Sequence, residues 1–362
     1  MAGITPLNII LNLASMLVFF LFFTYGQRIQ TRSMLVGVRR SLTKLETYRS
    51  DARKRFIESM LQYNADRDEV HGKVDRLIDS FAITPVSMDP KGIMGKLDHI
   101  LTTYDDNLKT EVKSLVKGAL QADVNTLTNL LEVSIGLDTM FRVVRHYYVL
   151  ASKKGGMLAS VLLQINLPSI MEEAEAYNAA IDAFAKGKTV GDGIGPLLAS
   201  QFAASSEGRE YVEDTTVTDA MFEGRKLLIV KAKGPGGNVG KPGLAIEKLV
   251  QESGPVSLII TVDAALKLEG EESGQVAEGV GAAIGGPGVE RYRIEEAAVK
   301  STIPTLAVVV KMSSKEAISE MTPKIREALN EASNRVKQAI LKSTKLGDIV
   351  ILAGIGNTLG VA

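Results

Sequence analysis

Four near-continuous apolar segments in the second half of the chain restrict its fold more than any other feature. They are KLLIVKA (226–232), SLIITVDAA (257–265), PTLAVVVK (304–311) and DIVILAGIG (348–356). Strands with so few polar positions are typically buried on both faces of a sheet. Helical stretches at Leu244–Glu252 and from about Lys315 to Lys342 separate the segments. The alternation predicts a three-layer α/β domain with a mostly parallel sheet over residues 188–362.

Three glycine-rich loops lie between or after these segments and are the candidate walls of a cleft. Ligands of parallel α/β sheets bind outside the carboxyl ends of the strands. Most of the 33 glycines lie in residues 188–362, where they allow a close approach of the backbone. The loop residues that we expect to shape the cleft are Gly234, Gly236, Gly237, Gly285, Gly286, Gly288, Gly356 and Asn357.

Two aspartates stand where these loops and strands meet. Asp263 ends the second apolar segment, where a carboxylate is costly unless it is paired, hydrogen-bonded, protonated or used in chemistry. Asp192 opens a helix in GDGIGPLLASQF (191–202). For Asp192 two interpretations are open: a helix N-cap that contributes about 1 kcal/mol, and a functional carboxylate.

The loop KGPGGNVGKPG (233–243) has the position of a dinucleotide-binding loop. The glycine fingerprint is incomplete, because Val239 stands where a further glycine belongs, and no acidic residue follows at the place that contacts a ribose. A tight structural loop is the favoured interpretation. Lys231, Lys233 and Lys241 remain candidates for binding an anion at the N-terminus of the following helix.

Five short motifs of this half occur together in one known superfamily. They are Gly354-Ile355-Gly356-Asn357, Asp192-Gly193-Ile194-Gly195-Pro196, Val262-Asp263-Ala264-Ala265, the loop 284–289 and the strand 303–308. The set resembles the hydrogenase maturation peptidases and the related germination protease of spore formers. The first motif stands last in this chain, so the resemblance implies a circularly permuted, peptidase-like domain with Asn357 beside Asp192.

The resemblance implies a peptidase in which Asp192 and Asp263 form an acid–base pair. Two neighbouring carboxylates share a proton, so one can act as a base on water while the other donates. The hydrogenase maturation branch uses two acids and a histidine to bind a metal, but here no histidine follows His146. We therefore expect no metal and no other cofactor. A further interpretation is that the fold is kept and the chemistry lost.

The first half of the chain is predicted to begin with a membrane span. Leu7–Tyr25 carry no charge over nearly the ~20 residues that cross ~30 Å of hydrocarbon. Arginine and lysine dominate the residues that follow, namely Arg28, Arg32, Arg39, Arg40 and Lys44. The positive-inside rule then places the N-terminus outside the cell and the later domains in the cytoplasm. We predict an anchor at residues 1–26 that contacts the lipid membrane through residues 7–25.

Residues 27–187 are predicted to form a cytoplasmic helical region. Leu35, Val38, Leu42 and Leu45 have the spacing of a short coiled coil, and equally of a helix that packs on its own protein. The anchor and the segment PVSMDPKGIMGKLDHIL (85–101) together resemble an archaeal family of membrane-anchored proteins without an assigned function. That resemblance implies an N-terminal anchor followed by cytoplasmic domains, and it implies no activity.

Composition excludes several classes of function. The chain has no cysteine, which excludes disulfides and thiol chemistry, and 42 basic against 42 acidic residues leave no basic footprint for nucleic acid. Two classes of function remain. One is a membrane-tethered hydrolase that acts on a protein or peptide substrate; the other is a non-enzymatic tethered scaffold that forms a homo-oligomer. A small-molecule or nucleotide sensor is a third interpretation.

Overall fold

The computed structural model describes residues 6–63, 65–83, 92–153, 157–204 and 208–361 of the chain. For residues 6–9, 23–24, 27–32 and 157, the structure describes the backbone only. The chain divides into two compact units. One contains Met1–Ser50 and Leu137–Ala174, and the other contains Asp51–Gly136 and Glu175–Ala362.

Long helices form the described part of the first half of the chain. They are α1 (Pro6–Leu61), α2 (Arg67–Ile78), α3 (Ile93–Leu115), α4 (Gln121–Ser152) and α5 (Met157–Ala185). α2 begins after Asp66, whose carboxylate accepts a hydrogen bond from the Glu69 N–H at 2.9 Å, a common N-cap arrangement. The helical pattern predicted for this region is confirmed.

The predicted membrane anchor is wrong. The described large apolar side chains between Ile10 and Phe22 of α1 are exposed. No helix in the described ranges is long and apolar enough to cross a membrane. The predicted single-pass topology, with the N-terminus outside the cell, is therefore wrong as well. The remaining side chains of the predicted span, and those of Arg28 and Arg32, lie outside the described residues.

Packing within a single chain explains the leucine spacing in α1. Val38 and Leu45 are buried, and Leu35 and Leu42 beside them are partly exposed. An apolar stripe of this kind faces the interior of its own protein. Of the two interpretations that the spacing allowed, the structure supports the helix packed on its own chain.

The second unit contains a seven-stranded sheet. Its strands are β1 (Arg209–Val212), β2 (Thr215–Phe222), β3 (Arg225–Ala232), β4 (Val256–Leu266), β5 (Val276–Val280), β6 (Thr305–Met312) and β7 (Ile349–Gly354). The strand order is β1-β2-β3-β7-β4-β6-β5. The four predicted segments are the four central strands, and they run parallel to one another.

The sheet as a whole is mixed, so the prediction of a mostly parallel sheet is wrong. β1, β2 and β5 are antiparallel to their neighbours at the two edges. These strands escape sequence analysis because they are half-exposed: β2 alternates in its second half, and most of β5 is open to solvent. β2 and β3 are joined by a tight turn at Glu223 and Gly224, which dictates the antiparallel direction.

Helices cover both faces of the sheet and form two apolar cores. The helices of this part are α6 (Ile194–Ala203), α7 (Pro242–Glu252), α8 (Val289–Lys300), α9 (Ser314–Ile318) and α10 (Pro323–Ser343). α6 and α10 pack on one face, and α7 and α8 pack on the other. In β4, Leu258 and Ile260 belong to the first core and Ile259 to the second. Burial on both faces explains the continuous apolar sequence.

One predicted helix is interrupted. The sequence pattern extended from about Lys315 to Lys342, whereas the structure has α9 and α10 there. Thr322 caps α10 by accepting a hydrogen bond from the Ile325 N–H, and Pro323 occupies its first turn. Proline fits the first turn of a helix and not its interior, so a new helix starts at this point.

Candidate active site

Asp192 and Asp263 line one cavity of about 390 Å³ in the second unit. Asp263 lies in β4 opposite Val309 of β6, and it is 6% exposed. Asp192 lies in a short 3-10 helix, Gly191–Gly193, that leads directly into α6. The fold thus brings together two carboxylates from separate segments of the chain in one cavity.

Glycines set the position of Asp192. A Cβ atom on Gly195 would overlap the carbonyl oxygens of Ile355, the residue after β7, and of Val262 in β4. A Cβ atom on Gly356 would overlap the carbonyl oxygen of Asp192, and the φ of Gly356 is +129°, which favours glycine. The start of α6 therefore packs on β4 and on the segment after β7, with backbone against backbone. This contact explains why glycines are required in both motifs.

A hydrogen bond joins the two motifs. The Asn357 N–H donates to Asp192 Oδ2 at 2.8 Å, so the contact expected between these residues is present. The residue that caps α6 is Gly193, without a side-chain hydrogen bond. The carboxylate of Asp192 therefore points to the loop after β7, and the N-cap interpretation is not supported.

The two carboxylates differ in their tendency to ionise. Burial raises the pKa of Asp192 to about 6, although the Asn357 N–H partly offsets this. Burial and the negative charge of Asp192 raise the pKa of Asp263 to about 8, against the backbone N–H groups of Ala264 and Gly285. Between these values the pair holds one proton. The order of the two pKa values favours an ionised Asp192 and a protonated Asp263 at neutral pH.

The predicted loop glycines are divided between two cavities. Gly285, Gly286, Gly288 and Gly356 line the cavity of the acid pair. Gly237 and Asn357 line a second cavity of about 320 Å³. The two cavities adjoin, because both have walls that include Thr102, Asp105, Val239, Gly240 and Lys241.

The first glycines of the loop after β3 have a structural role. Gly234 precedes a cis peptide bond to Pro235, and Gly236 packs so closely on Ala122 of α4 that no Cβ would fit. Thr358 Oγ1 lies 2.8 Å from the Gly236 carbonyl oxygen. The loop is thereby attached to the segment after β7, which agrees with the interpretation of a tight structural loop.

The groups that would bind an anion at the start of α7 already have partners. The N–H groups of Gly243 and Leu244 donate to Glu290 Oε2 at 2.6 and 3.2 Å. Lys241 pairs with Glu213 at 2.6 Å, and Lys233 pairs with Glu210 at 2.5 Å. Lys231 is partly buried in β3. The protein itself supplies the negative charge at this helix N-terminus.

Two helices of the first half supply cavity residues that sequence analysis missed. Asp98 and Asp105 of α3 reach the cavity of the acid pair, and Asn129 and Glu132 of α4 reach the second cavity. They were missed because α3 and α4 were assigned to a separate helical region. A signal was present: Asn125, Asn129 and Glu132 form a polar stripe at helical spacing in an otherwise apolar helix.

Metal-binding geometry is not found in the described ranges. No group of three or more histidine, aspartate or glutamate side chains there is arranged to hold a metal ion. None of His71, His99 and His146 lines either of the two cavities. The other polar side chains around the acid pair are those of Asp98, Thr102, Asp105, Lys241 and Glu290.

The fold and the site define an α/β protein with a paired-aspartate cleft. Residues 12–187 match the family described as protein of unknown function (DUF1512) N-terminal domain, and residues 190–362 match domain of unknown function (DUF1512) C-terminal. The chain belongs to this family, DUF1512, whose function is uncharacterised. Neither a curated protein nor a solved structure matches the chain.

Proposed function

We propose that the protein is a hydrolase that cleaves peptide bonds with Asp192 and Asp263. One observation carries the proposal: the two aspartates line one open cavity, where burial and the charge of Asp192 raise the pKa of Asp263. Like charges oppose folding, and perturbed carboxylate pairs in a cleft are frequent at active sites. The contact between Asn357 and Asp192 supports a permuted relative of the peptidases that the sequence resembles.

The protonation states of the two aspartates determine which one acts as the base and which one as the acid. Ionised Asp192 accepts a proton from a water molecule, whose oxygen attacks the carbonyl carbon of the substrate amide. Protonated Asp263 donates a hydrogen bond to the carbonyl oxygen, which gains negative charge as the tetrahedral intermediate forms. The C–N bond then breaks, and the amine leaves with a proton from the acid pair. This is general acid–base catalysis with two carboxylates of unequal pKa.

A bell-shaped pH profile is the expected signature of this mechanism. The rate should rise as the pH passes about 6, because Asp192 must be ionised, and fall above about 8, because Asp263 must be protonated. The full chain would be incubated in H₂¹⁸O with a proteome digest cut after glutamate. Mass spectrometry then measures ¹⁸O in newly formed carboxyl termini from pH 4 to 10.

Two controls make this profile specific. EDTA and a serine protease inhibitor are present throughout, so that contaminating enzymes are silenced. The variant Asp219→Asn removes an exposed carboxylate of β2 that pairs with Lys226 at 3.0 Å, and it should keep the profile. Absence of ¹⁸O in new termini at every pH, or a rate that does not change with pH, would contradict the proposal.

A further inference from the structure

Val239 is an exposed apolar side chain in the wall of the candidate active site. It is 54% exposed, and it lines both the cavity of the acid pair and the second cavity. In the loop after β3, it occupies the position where valine interrupts the glycine pattern of a dinucleotide-binding loop. Glycine in such a loop lets a phosphate approach the backbone, whereas valine presents a branched apolar surface. Val239 therefore favours an uncharged, apolar ligand group at this place.

Hydrogen bonds on both sides of Val239 hold its loop in place. The Asn238 carbonyl oxygen accepts a hydrogen bond from the Thr358 N–H at 3.0 Å. The Lys241 N–H donates to Thr215 Oγ1 at 2.7 Å. A β-branched side chain between two anchored residues loses little conformational entropy when a ligand covers it. The exposed methyl groups of Val239 are thus preorganised for contact with a ligand.

Most charged groups of the acid-pair cavity already have partners in the protein. Beyond the acid pair itself, four charged side chains line this cavity. Asp98 pairs with Arg293 at 2.5 Å, Lys241 is in the ion pair described above, and Glu290 accepts hydrogen bonds from the start of α7. The fourth, Asp105, is exposed to solvent. A charged ligand group would have to displace these partners, whereas an uncharged group would not.

Four further apolar side chains line the acid-pair cavity and are at least partly exposed. They are Leu101 of α3, Ala264 of β4, and Ile284 and Pro287 of the loop before α8. Together with Val239 they come from four separate segments of the chain. Ligand pockets are typically lined by apolar side chains, with a few polar groups that orient the ligand. In this cavity of about 390 Å³, the acid pair provides such polar groups.

We propose that Val239 and these four apolar side chains form a subsite for the aliphatic side chain of a peptide substrate, with Val239 as a specificity-determining residue. The ligand is a leucine-like side chain next to the amide that lies at the acid pair. Such a side chain covers apolar surface and brings no polar group that must lose its hydration. The assignment of this ligand as a substrate rests on the proposed function, whereas the aliphatic preference of the cavity does not.

Calorimetric titration of the full chain at neutral pH tests this assignment. The probes are N-acetyl-leucinamide and N-acetyl-asparaginamide, whose side chains are similar in shape but end in methyl groups or in an amide. We expect the leucine derivative to bind at least about tenfold tighter, which corresponds to about 1.4 kcal/mol. Val239→Ser should lose most of this preference, because it removes both methyl groups. The control Val280→Ser makes the same change at an exposed valine of β5 that lines neither cavity, and it should bind like the native chain.

Three results of the titration would overturn the inference. They are equal affinity for the two derivatives, no binding of either, and an unchanged preference in Val239→Ser. Thermal unfolding checks that the variant is folded, and we expect the native temperature because the side chain is exposed. If Val239→Ser unfolds early, Val239→Thr keeps the branched shape and should weaken the preference in the same direction; an unchanged preference in Val239→Thr would also overturn the inference.

The new termini in the ¹⁸O experiment distinguish this inference from the proposed function. Hydrolysis without enrichment of aliphatic residues beside the new termini would overturn the inference and leave the proposed function in place. Preferential binding of the leucine derivative without any hydrolysis would leave the aliphatic subsite in place and refute the proposed function.

Discussion

Replacing Asp263 by asparagine is expected to reduce peptide hydrolysis by about 10³-fold or more, the usual range for loss of a general acid. Asparagine resembles the protonated acid, because it offers one carbonyl acceptor and N–H donors. It can still accept the hydrogen bond that the Ala264 N–H donates to Asp263 Oδ1 at 2.7 Å. It cannot release a proton. The variant therefore removes proton transfer while it keeps the shape of the site.

The stability of this variant distinguishes a catalytic from a structural role. The pKa of Asp263 is raised in the folded state, so the native protein holds a proton there that the unfolded chain releases near pH 4. Stability therefore falls as the pH rises from about 4 toward 8. Asparagine removes this penalty, and thermal unfolding of Asp263→Asn at neutral pH should occur at the native temperature or above it.

A purely structural role of Asp263 would give a different result for Asp263→Asn. If Asp263 is an ionised structural acceptor of the Ala264 and Gly285 N–H groups, the variant lacks one acceptor oxygen, so it should unfold at a clearly lower temperature and leave any hydrolysis to other groups. Asp219→Asn is the matched control, since it also changes one carboxylate of the sheet to an amide but lies on the surface. It should retain full activity.

Replacing Gly195 by alanine is expected to destabilise the protein by more than about 3 kcal/mol, at the upper end of overpacking effects. The added methyl group would overlap the carbonyl oxygens of Ile355 and Val262. The backbone of β4 and of the residue after β7 cannot give way as a side chain can. The start of α6 would have to move off the sheet, and Asp192 with it, so activity should be lost as well.

Gly279→Ala is the matched control for this effect. Gly279 lies in the edge strand β5, and nothing lies within 4 Å of the place that its Cβ would occupy. Its stability should remain within about 1 kcal/mol of the native value. Urea denaturation of the two variants measures the difference directly. Equal midpoints for Gly195→Ala and Gly279→Ala would show that the close contact of α6 with β4 and the segment after β7 does not hold Asp192.

The central strands could be predicted because a strand that is buried on both faces is apolar at nearly every position. Leu258, Ile259 and Ile260 are all apolar, since alternate side chains enter different cores. The edge strands have no such continuous apolar sequence. Val280 is 93% exposed at the end of β5, and its strand contains a glycine and a glutamate. Half-exposed strands next to tight turns resemble loops in sequence. These antiparallel edge strands are the reason why the sheet is mixed.

The acid pair was predictable, but the full cavity was not. A carboxylate at the end of a buried strand is conspicuous, so Asp263 could be found, and a glycine-rich helix start identified Asp192. Asp105 and Glu132 lie on helices whose contact with the sheet depends on tertiary packing. Periodicity shows which face of a helix is polar and does not show what that face meets. The acidic character of the cleft therefore emerges only from the structure.

The protonation state of Asp263 tests the central claim most directly. Carbon-13 NMR of the full chain labelled at aspartate carboxyl groups, assigned with Asp263→Asn, follows this group as the pH is raised. We expect Asp263 to titrate near pH 8 and its pKa to fall in Asp192→Asn, because that variant removes the neighbouring negative charge. Ionisation of Asp263 near its ordinary value of about 3.9, unchanged by Asp192→Asn, would contradict the shared proton and the mechanism built on it.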